Sequence, residues 1–345
     1  MPSTKDILAT RLDSCLRAFP QLDAISIQLS VREEIEYSKS SFEIPYRFEA
    51  IPHLYYAAYF FDSKFAVENY EAEIFHSGVK VGSCPLTVND SDRSITSGGE
   101  PILFPVTIFP IESEIHHCLQ LAFVKCILEV TRELEFSPPT FQEYEMTISR
   151  SLDNSLRIWG ATVNSREVYK KNCAADLDEL WRDIRKSSKS LINRGLKELK
   201  VDCVTGSDNL GIFEEFRSLH KFVSGRVTRN DKTWEVQKCE FEQGMAFISA
   251  VTQGDKLVGG SYIPHNGNSA LYAVNASDRA KTEYNLGHLG MWVTIKHLNS
   301  IGIRDFRLGH LEIGANSHAT EKEISIAQFK RGYASHLSLE NIYIF

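Results

Sequence analysis

The sequence lacks paired cysteines of the kind that staple a fold or hold a metal. Its seven cysteines are Cys15, Cys84, Cys118, Cys126, Cys173, Cys203 and Cys239. No two form a C-x-x-C pair and their number is odd, which argues against a disulfide framework and a structural zinc site. They read as reduced core thiols. The eleven histidines show no H-x-x-x-H spacing, so no metal is expected. There is no G-x-S-x-G, and with it no nucleophile elbow. No stretch approaches the roughly 20 apolar residues that span a bilayer. The opening segment, MPSTKDILATRLDSCLRAF, has no apolar run of the signal-peptide kind. A cytoplasmic protein is expected, with peripheral membrane association left open. Positive charge is also short. The net charge of −7 excludes a general nucleic-acid footprint, so no DNA partner is expected and any polyanion must meet a local basic patch.

What is present is ordinary globular material. The 345 residues, 43% hydrophobic and 24% charged, suffice for two domains of roughly 100–200 residues with self-sufficient cores. An internal echo points the same way. Residues 70–88, YEAEIFHSGVKVGSCPLTV, and 245–263, MAFISAVTQGDKLVGGSYI, each read as a strand, a glycine turn and a second strand opening on Val-Gly (Val81-Gly82; Val258-Gly259). The first hairpin is followed by an expected strand Ile95–Phe104, a helix Ser113–Leu134 and a strand Glu143–Ser149. The second is followed by a strand Ser269–Asn275, a helix Gly287–Ser300 and a strand Asp305–Leu308. That order suits a mixed sheet flanked by helices, an α/β (α+β) fold. A helix is also expected over 5–19, while 36–45 reads as irregular. The polar stretch 150–165 reads as a crossing segment, which places a boundary near Gly160 and domains at 1–160 and 161–345.

Four segments of the second half, in order, resemble the FemAB-like proteins. They are LDELWRDIRKSSKSLINRGLKELKV, GGSYIPHNGNSALYAVNAS, GHLGMWVTIKHLNSIGIRDFRLG and IAQFKRGYAS. The resemblance implies two tandem GNAT folds, with the working site on the second, and transfer of an acyl group onto an amine. It implies no bound cofactor, and acyl-CoA or aminoacyl-tRNA as co-substrate. The acceptor it implies is the amine of an amino sugar or lipid-linked precursor of surface-polysaccharide or cell-envelope assembly. The sequence departs from the family at two points. It has no long coiled-coil arm for tRNA, and Arg307 stands where the family's F-D-x-G has Asp. A Fem-type aminoacyl-tRNA-dependent peptidyltransferase and a non-catalytic binding module are the competing readings.

Amine acylation needs a neutral amine, a nearby carbonyl and stabilisation of the tetrahedral oxygen. Lys330, in the terminal motif, is the expected oxyanion or phosphate donor. His288 and His310 are the general-base candidates, and Tyr272 is the fourth candidate catalytic residue. His288 lies at a helix start, where the dipole disfavours its charged form. Tyr272, Asn275 and Ser277 lie on or beyond the strand expected to form the acyl slot. The segment 219–237, LHKFVSGRVTRNDKTWEVQ, reads as a loop between helices, with Arg226 and Arg229 for phosphate or carboxylate, Trp234 for stacking, and Gln237. The basic run Arg182–Lys200 reads mainly as a solvated helix face. His265–Asn268 reads as a hairpin turn. Ser97-Gly98-Gly99 is a weaker candidate for binding phosphate through backbone N–H groups.

Overall fold

The computed structural model describes residues 3–32, 47, 50–61, 67–107, 111–144, 148–278, 280, 283–313 and 319–345. The segment 36–45 lies outside them. The chain divides into two compact units, Met1–Ser165 with Glu340–Phe345, and Arg166–Leu339.

The first unit opens with α1 (Thr4–Arg17), started by a Ser3–Asp6 capping box and burying Leu8, Leu12, Cys15 and Leu16 at helical spacing. There follow β1 (Ile25–Val31), α2 (Ala50–Phe60), β2 (Val67–His76), β3 (Val79–Asn89), β4 (Ser94–Thr96), β5 (Ile102–Leu103), β6 (Val106–Thr107), α3 (Ser113–Glu133), β7 (Thr140–Gln142) and α4 (Arg150–Ile158). Strands β1–β2–β3–β4 pair antiparallel in that order, and β6 joins β3. Gly82 admits β6, because a Cβ there would lie 2.1 Å from the Val106 carbonyl oxygen. The expected strand Ile95–Phe104 is broken into β4 and β5, since Gly98 and Gly99 take positive φ and turn the chain. The strand expected over Glu143–Ser149 lies earlier, at β7, and residues 145–147 are outside the described set. The stretch 150–165 is no bare crossing segment. Ser149 caps α4 through the Leu152 N–H, and α4 buries Leu152 and Leu156.

The strand β8 (Thr162–Asn172) leads into the second unit. It is followed by α5 (Leu177–Asp183), α6 (Lys186–Gly195), β9 (Lys200–Val204), α7 (Leu210–Ser224), α8 (Asp231–Glu242), β10 (Ala246–Gln253), β11 (Lys256–Pro264), β12 (Ser269–Leu271), β13 (Val274–Ser277), α9 (Leu286–Ser300), β14 (Asp305–Ile313), α10 (Glu321–Arg331) and β15 (His336–Ile344). The last residues of β15 belong to the first unit, where Ile342–Ile344 pair with β7 and Tyr343 packs on Phe104. The hairpins β2–β3 and β10–β11 share a detail beyond their pattern. Each slips register just before its turn, at Ile74/Phe75 and at Val251/Thr252.

In the second unit β13, β11, β10 and β9 form an antiparallel sheet. Alternation assigns its faces. A Cβ on Gly259 would meet Leu286 of α9, whereas one on Gly260 would meet Phe216 of α7. Tyr262, on the Gly260 side, reaches the Gln237 carbonyl and the Glu240 carboxylate of α8. So α9 covers one face, and α7 with α8 the other.

The chain then changes partners. Strand β12 pairs parallel with β14, while β13 pairs antiparallel with β11. The Tyr272 N–H still donates to the Arg307 carbonyl at 2.9 Å, and the next N–H, of Ala273, donates to Tyr262 at 3.3 Å. Among the described residues no ladder joins β13 to β14 beyond this fork.

Candidate functional site

The fork between β13 and β14 collects the chemistry. Tyr272 sits at the switch. Its hydroxyl accepts from the Ser261 hydroxyl at 3.3 Å, and the Asn275 amide donates to the same Ser261 oxygen at 3.0 Å and to the Gly260 carbonyl at 3.2 Å. Burial raises the Tyr272 phenol above its usual range, against the lowering effect of the Ser261 and Asn275 bonds. Ser277 donates to the Asn275 side-chain oxygen at 3.4 Å. Three sequence candidates, Tyr272, Asn275 and Ser277, are thus brought together, with Ser261 as an unforeseen hub.

Lys330 comes from the last turn of α10, a helix started by a Thr320–Glu323 capping box. Its ammonium lies 5.9 Å from the centre of the Tyr272 ring. It also rests against Gly309, where a Cβ would come within 2.3 Å of it. Among the described residues no carboxylate pairs with Lys330. Burial lowers its pKa to about 8, and the nearby Arg307 guanidinium adds to the shift. Arg307, at the position that departs from the family pattern, is itself 5% exposed. Two cations therefore converge in a partly dry fork, an arrangement more typical of working sites than of packing.

His288, in the first turn of α9, stands beside α10. Its Nδ1 is 2.6 Å from the Tyr333 hydroxyl, and its ring lies 5.1 Å from the Phe329 ring. Burial lowers the His288 pKa, so the neutral imidazole is favoured at neutral pH. Tyr333 is buried, with its phenol pushed upward by that burial and bonded to Ser188. His310 is placed otherwise. Arg307 and Gly309 share one face of β14, and His310 is on the opposite face and exposed. The structure does not bring it to Lys330.

The remaining candidates lie on the other face of the sheet. The segment 219–237 is mostly helical. Its loop is only 225–230, and Trp234 and Gln237 lie within α8. Trp234 is 5% exposed and packs edge-on against Phe213 and Phe216, so its main role is core packing. Gln237 is buried, its backbone carbonyl accepts from Tyr262, and it is not among the residues around the neighbouring cleft. Arg226 and Arg229 are placed differently. With Arg217, Lys221, His220 and the Trp234 edge they line a cleft of about 290 Å3. Arg217 is held by Asp231 at 2.6 Å, and Arg229 donates to His220 at 3.0 Å. Burial and Arg229 push the His220 pKa down to about 4, which keeps it neutral as an acceptor.

Two weaker candidates are used internally. The Gly98 N–H donates to the Thr87 hydroxyl and the Gly99 N–H to the Thr96 hydroxyl, leaving neither for a phosphate. In the basic run, Arg194 pairs with Glu283 and Lys189 lies over Trp181, as on a solvated face. The residues that sequence reasoning missed as site members are Ser261, Gly309, Tyr333 and Arg307. Gly309 carried a signal, since a glycine inside a strand marks a close approach.

No family model and no curated relative matches the chain. Solved structures do. FemX has a TM-score of 0.59 at 11% identity, covering 88% of this chain and 96% of its own. The C-terminal domain of a putative lysylphosphatidylglycerol synthetase from Agrobacterium fabrum has a TM-score of 0.54 at 12% identity, covering 99% and 92%. The L-PGS structure from Bacillus licheniformis has a TM-score of 0.53 at 12% identity, covering 88% and 92%. At such identities the likeness is one of fold. The mixed α/β fold expected from the sequence is the fold found, and it is shared with these structures. Among the described residues no helix is long and apolar enough to cross a membrane.

Proposed function

We propose that this chain is an acyltransferase whose reacting centre is the fork between β13 and β14, with Lys330 as its principal electrostatic group. The observation that carries this reading is the ammonium of Lys330, seated against Gly309 beside Arg307 and over Tyr272 without a carboxylate partner among the described residues. The Lys330 ammonium, drawn out of water and disfavoured further by the nearby Arg307 guanidinium, gains most from an anion that comes to it. The oxygen of a tetrahedral acyl intermediate is such an anion, and it is present only during reaction.

The amine nitrogen attacks the acyl carbon, a C–N bond forms, and the bond to the leaving thiol or alcohol breaks. The carbonyl oxygen gains negative charge, which the Lys330 ammonium stabilises. His288 takes the amine proton if its Nδ1–H donates to Tyr333, because its Nε2 is then free to accept. The donor we favour is a thioester, acyl-CoA, and the acceptor an amino sugar or related envelope precursor. The structural likeness to FemX and to lysylphosphatidylglycerol synthetase supports a second reading, in which the transferred group is aminoacyl and the donor a charged tRNA.

Thiol release from a panel of acyl-CoAs, with and without amino-sugar nucleotides, tests the first reading. Transfer of label from aminoacyl-tRNA, abolished by RNase, tests the second. Release dependent on both substrates supports the thioester donor, and label transfer alone replaces it with the aminoacyl one. Failure of both arms removes the acyltransferase assignment.

The pH profile gives an independent check. With its pKa lowered to about 8, Lys330 is largely protonated at pH 7. Its donor role is complete below that value and is lost as pH rises through it. The rate constant should therefore fall on an alkaline limb near pH 8. Lys330→Arg, which does not titrate in this range, should flatten that limb.

A further inference from the structure

The corner between α7 and α8 has a composition that acyl transfer does not require. Gly225 takes φ of 65° and turns the chain sharply between the end of α7 at Ser224 and the Asn230 cap of α8. On this corner Phe222 and Val227 are each 68% exposed, and Val223 is 43% exposed. Burying such side chains is the usual outcome of folding, and here three of them face outward within one tight bend.

The charges around them have one dominant sign. Lys221 and Arg226 are exposed, and neither has a carboxylate partner among the described residues. Arg229 stands beside them with its guanidinium on neutral His220. Two of the nearby carboxylates, Glu214 and Asp231, are both engaged by Arg217. The chain as a whole carries −7 and would be repelled by an anionic surface, so a local cationic corner is the part able to approach one. Apolar side chains at a tip, ringed by lysine and arginine, match the interfacial layer of an anionic bilayer, where the rings and methyls sit below the phosphates and the cations among them.

We infer that the α7–α8 corner is a membrane-docking tip, seating Phe222 and Val227 in the interface of an anionic bilayer with Lys221 and Arg226 at the phosphate level. Val227, Lys221 and Arg226 also line the 290 Å3 cleft, so docking opens that cleft toward lipid headgroups. The inference rests on this surface alone and holds whatever group the fork transfers.

Co-sedimentation of the full chain with vesicles tests it. Vesicles of phosphatidylcholine with about one-third phosphatidylglycerol should bind the protein, and pure phosphatidylcholine vesicles about tenfold less well. Raising the salt to about 0.5 M should weaken binding about tenfold. The double variants Phe222→Asp/Val227→Asp and Lys221→Glu/Arg226→Glu should each lose about tenfold in partitioning. All four positions are exposed, so both variants are expected to fold, and circular dichroism checks this. Ile158→Asp, at a residue 82% exposed in the first unit, should leave binding unchanged. The proposal is overturned by absence of binding to anionic vesicles, by equal binding to neutral ones, or by retention of binding in the Phe222→Asp/Val227→Asp variant. Binding only to membranes that carry integral proteins overturns it too, because the corner then meets a protein.

Discussion

Lys330→Ala is expected to lower the rate constant for acyl transfer about 100- to 1000-fold, the loss that follows removal of one aimed donor, roughly 3–4 kcal/mol. KM should change little, since the interaction is made in the transition state. The same substitution separates a working lysine from a structural one. In the resting protein the ammonium is pulled from water and stands near Arg307, so it destabilises the fold. Lys330→Met keeps the length of the side chain and discards the charge. It should raise the melting temperature while abolishing activity. If Lys330→Met lowered the melting temperature and left transfer intact, the lysine would be a packing element and the fork would need another electrostatic centre.

Gly309→Ala should act on the same lysine from the opposite wall. Its φ of 131° is one that L side chains rarely adopt, and its new Cβ would stand 2.3 Å from the Lys330 ammonium. The lysine end is flexible, so the head moves away and the donor is lost from its position. A rate loss of about 10- to 100-fold is expected, because small misplacements of a reacting group are costly. The backbone strain adds a stability cost of about 1–3 kcal/mol. Gly254→Ala is the matched control. It too has a positive φ, 60°, but nothing lies within 4 Å of its Cβ. It should lose stability with the rate preserved. Equal rates in the two variants would show that the close approach at Gly309 has no part in catalysis.

The duplicated hairpins were legible because period-two alternation around a glycine turn is a local signal. So was α9, whose apolar residues recur at helical spacing. Helix α4 was missed, since its stripe is only Leu152 and Leu156 among serine, asparagine and aspartate, residues that also favour loops. The segment 219–237 misled in another way. Its arginines, glycine and tryptophan suggest one loop, whereas Asn230 caps a helix and hides Trp234 in the core. The capping asparagine followed by Asp231 was the overlooked cue. His310 looked well placed until the parity of β14 turned it away from Arg307 and Gly309. The meeting of Lys330 with Tyr272 and Gly309 could not be read locally. It depends on α10 packing on β14 and on a partner change at residues 272–273, both set by long-range contacts.

One consequence concerns the order in which the polypeptide is made. The strand segment Glu340–Phe345 completes the first unit, yet it is translated after the whole of the second. Until it arrives, Phe104 and Phe141 lack the aromatic neighbours Tyr343 and Phe345, and β7 has a bare edge. A nascent first unit therefore keeps an open apolar seam throughout synthesis of the second. Any fragment cut at Ser165 inherits that seam permanently and should be prone to self-association.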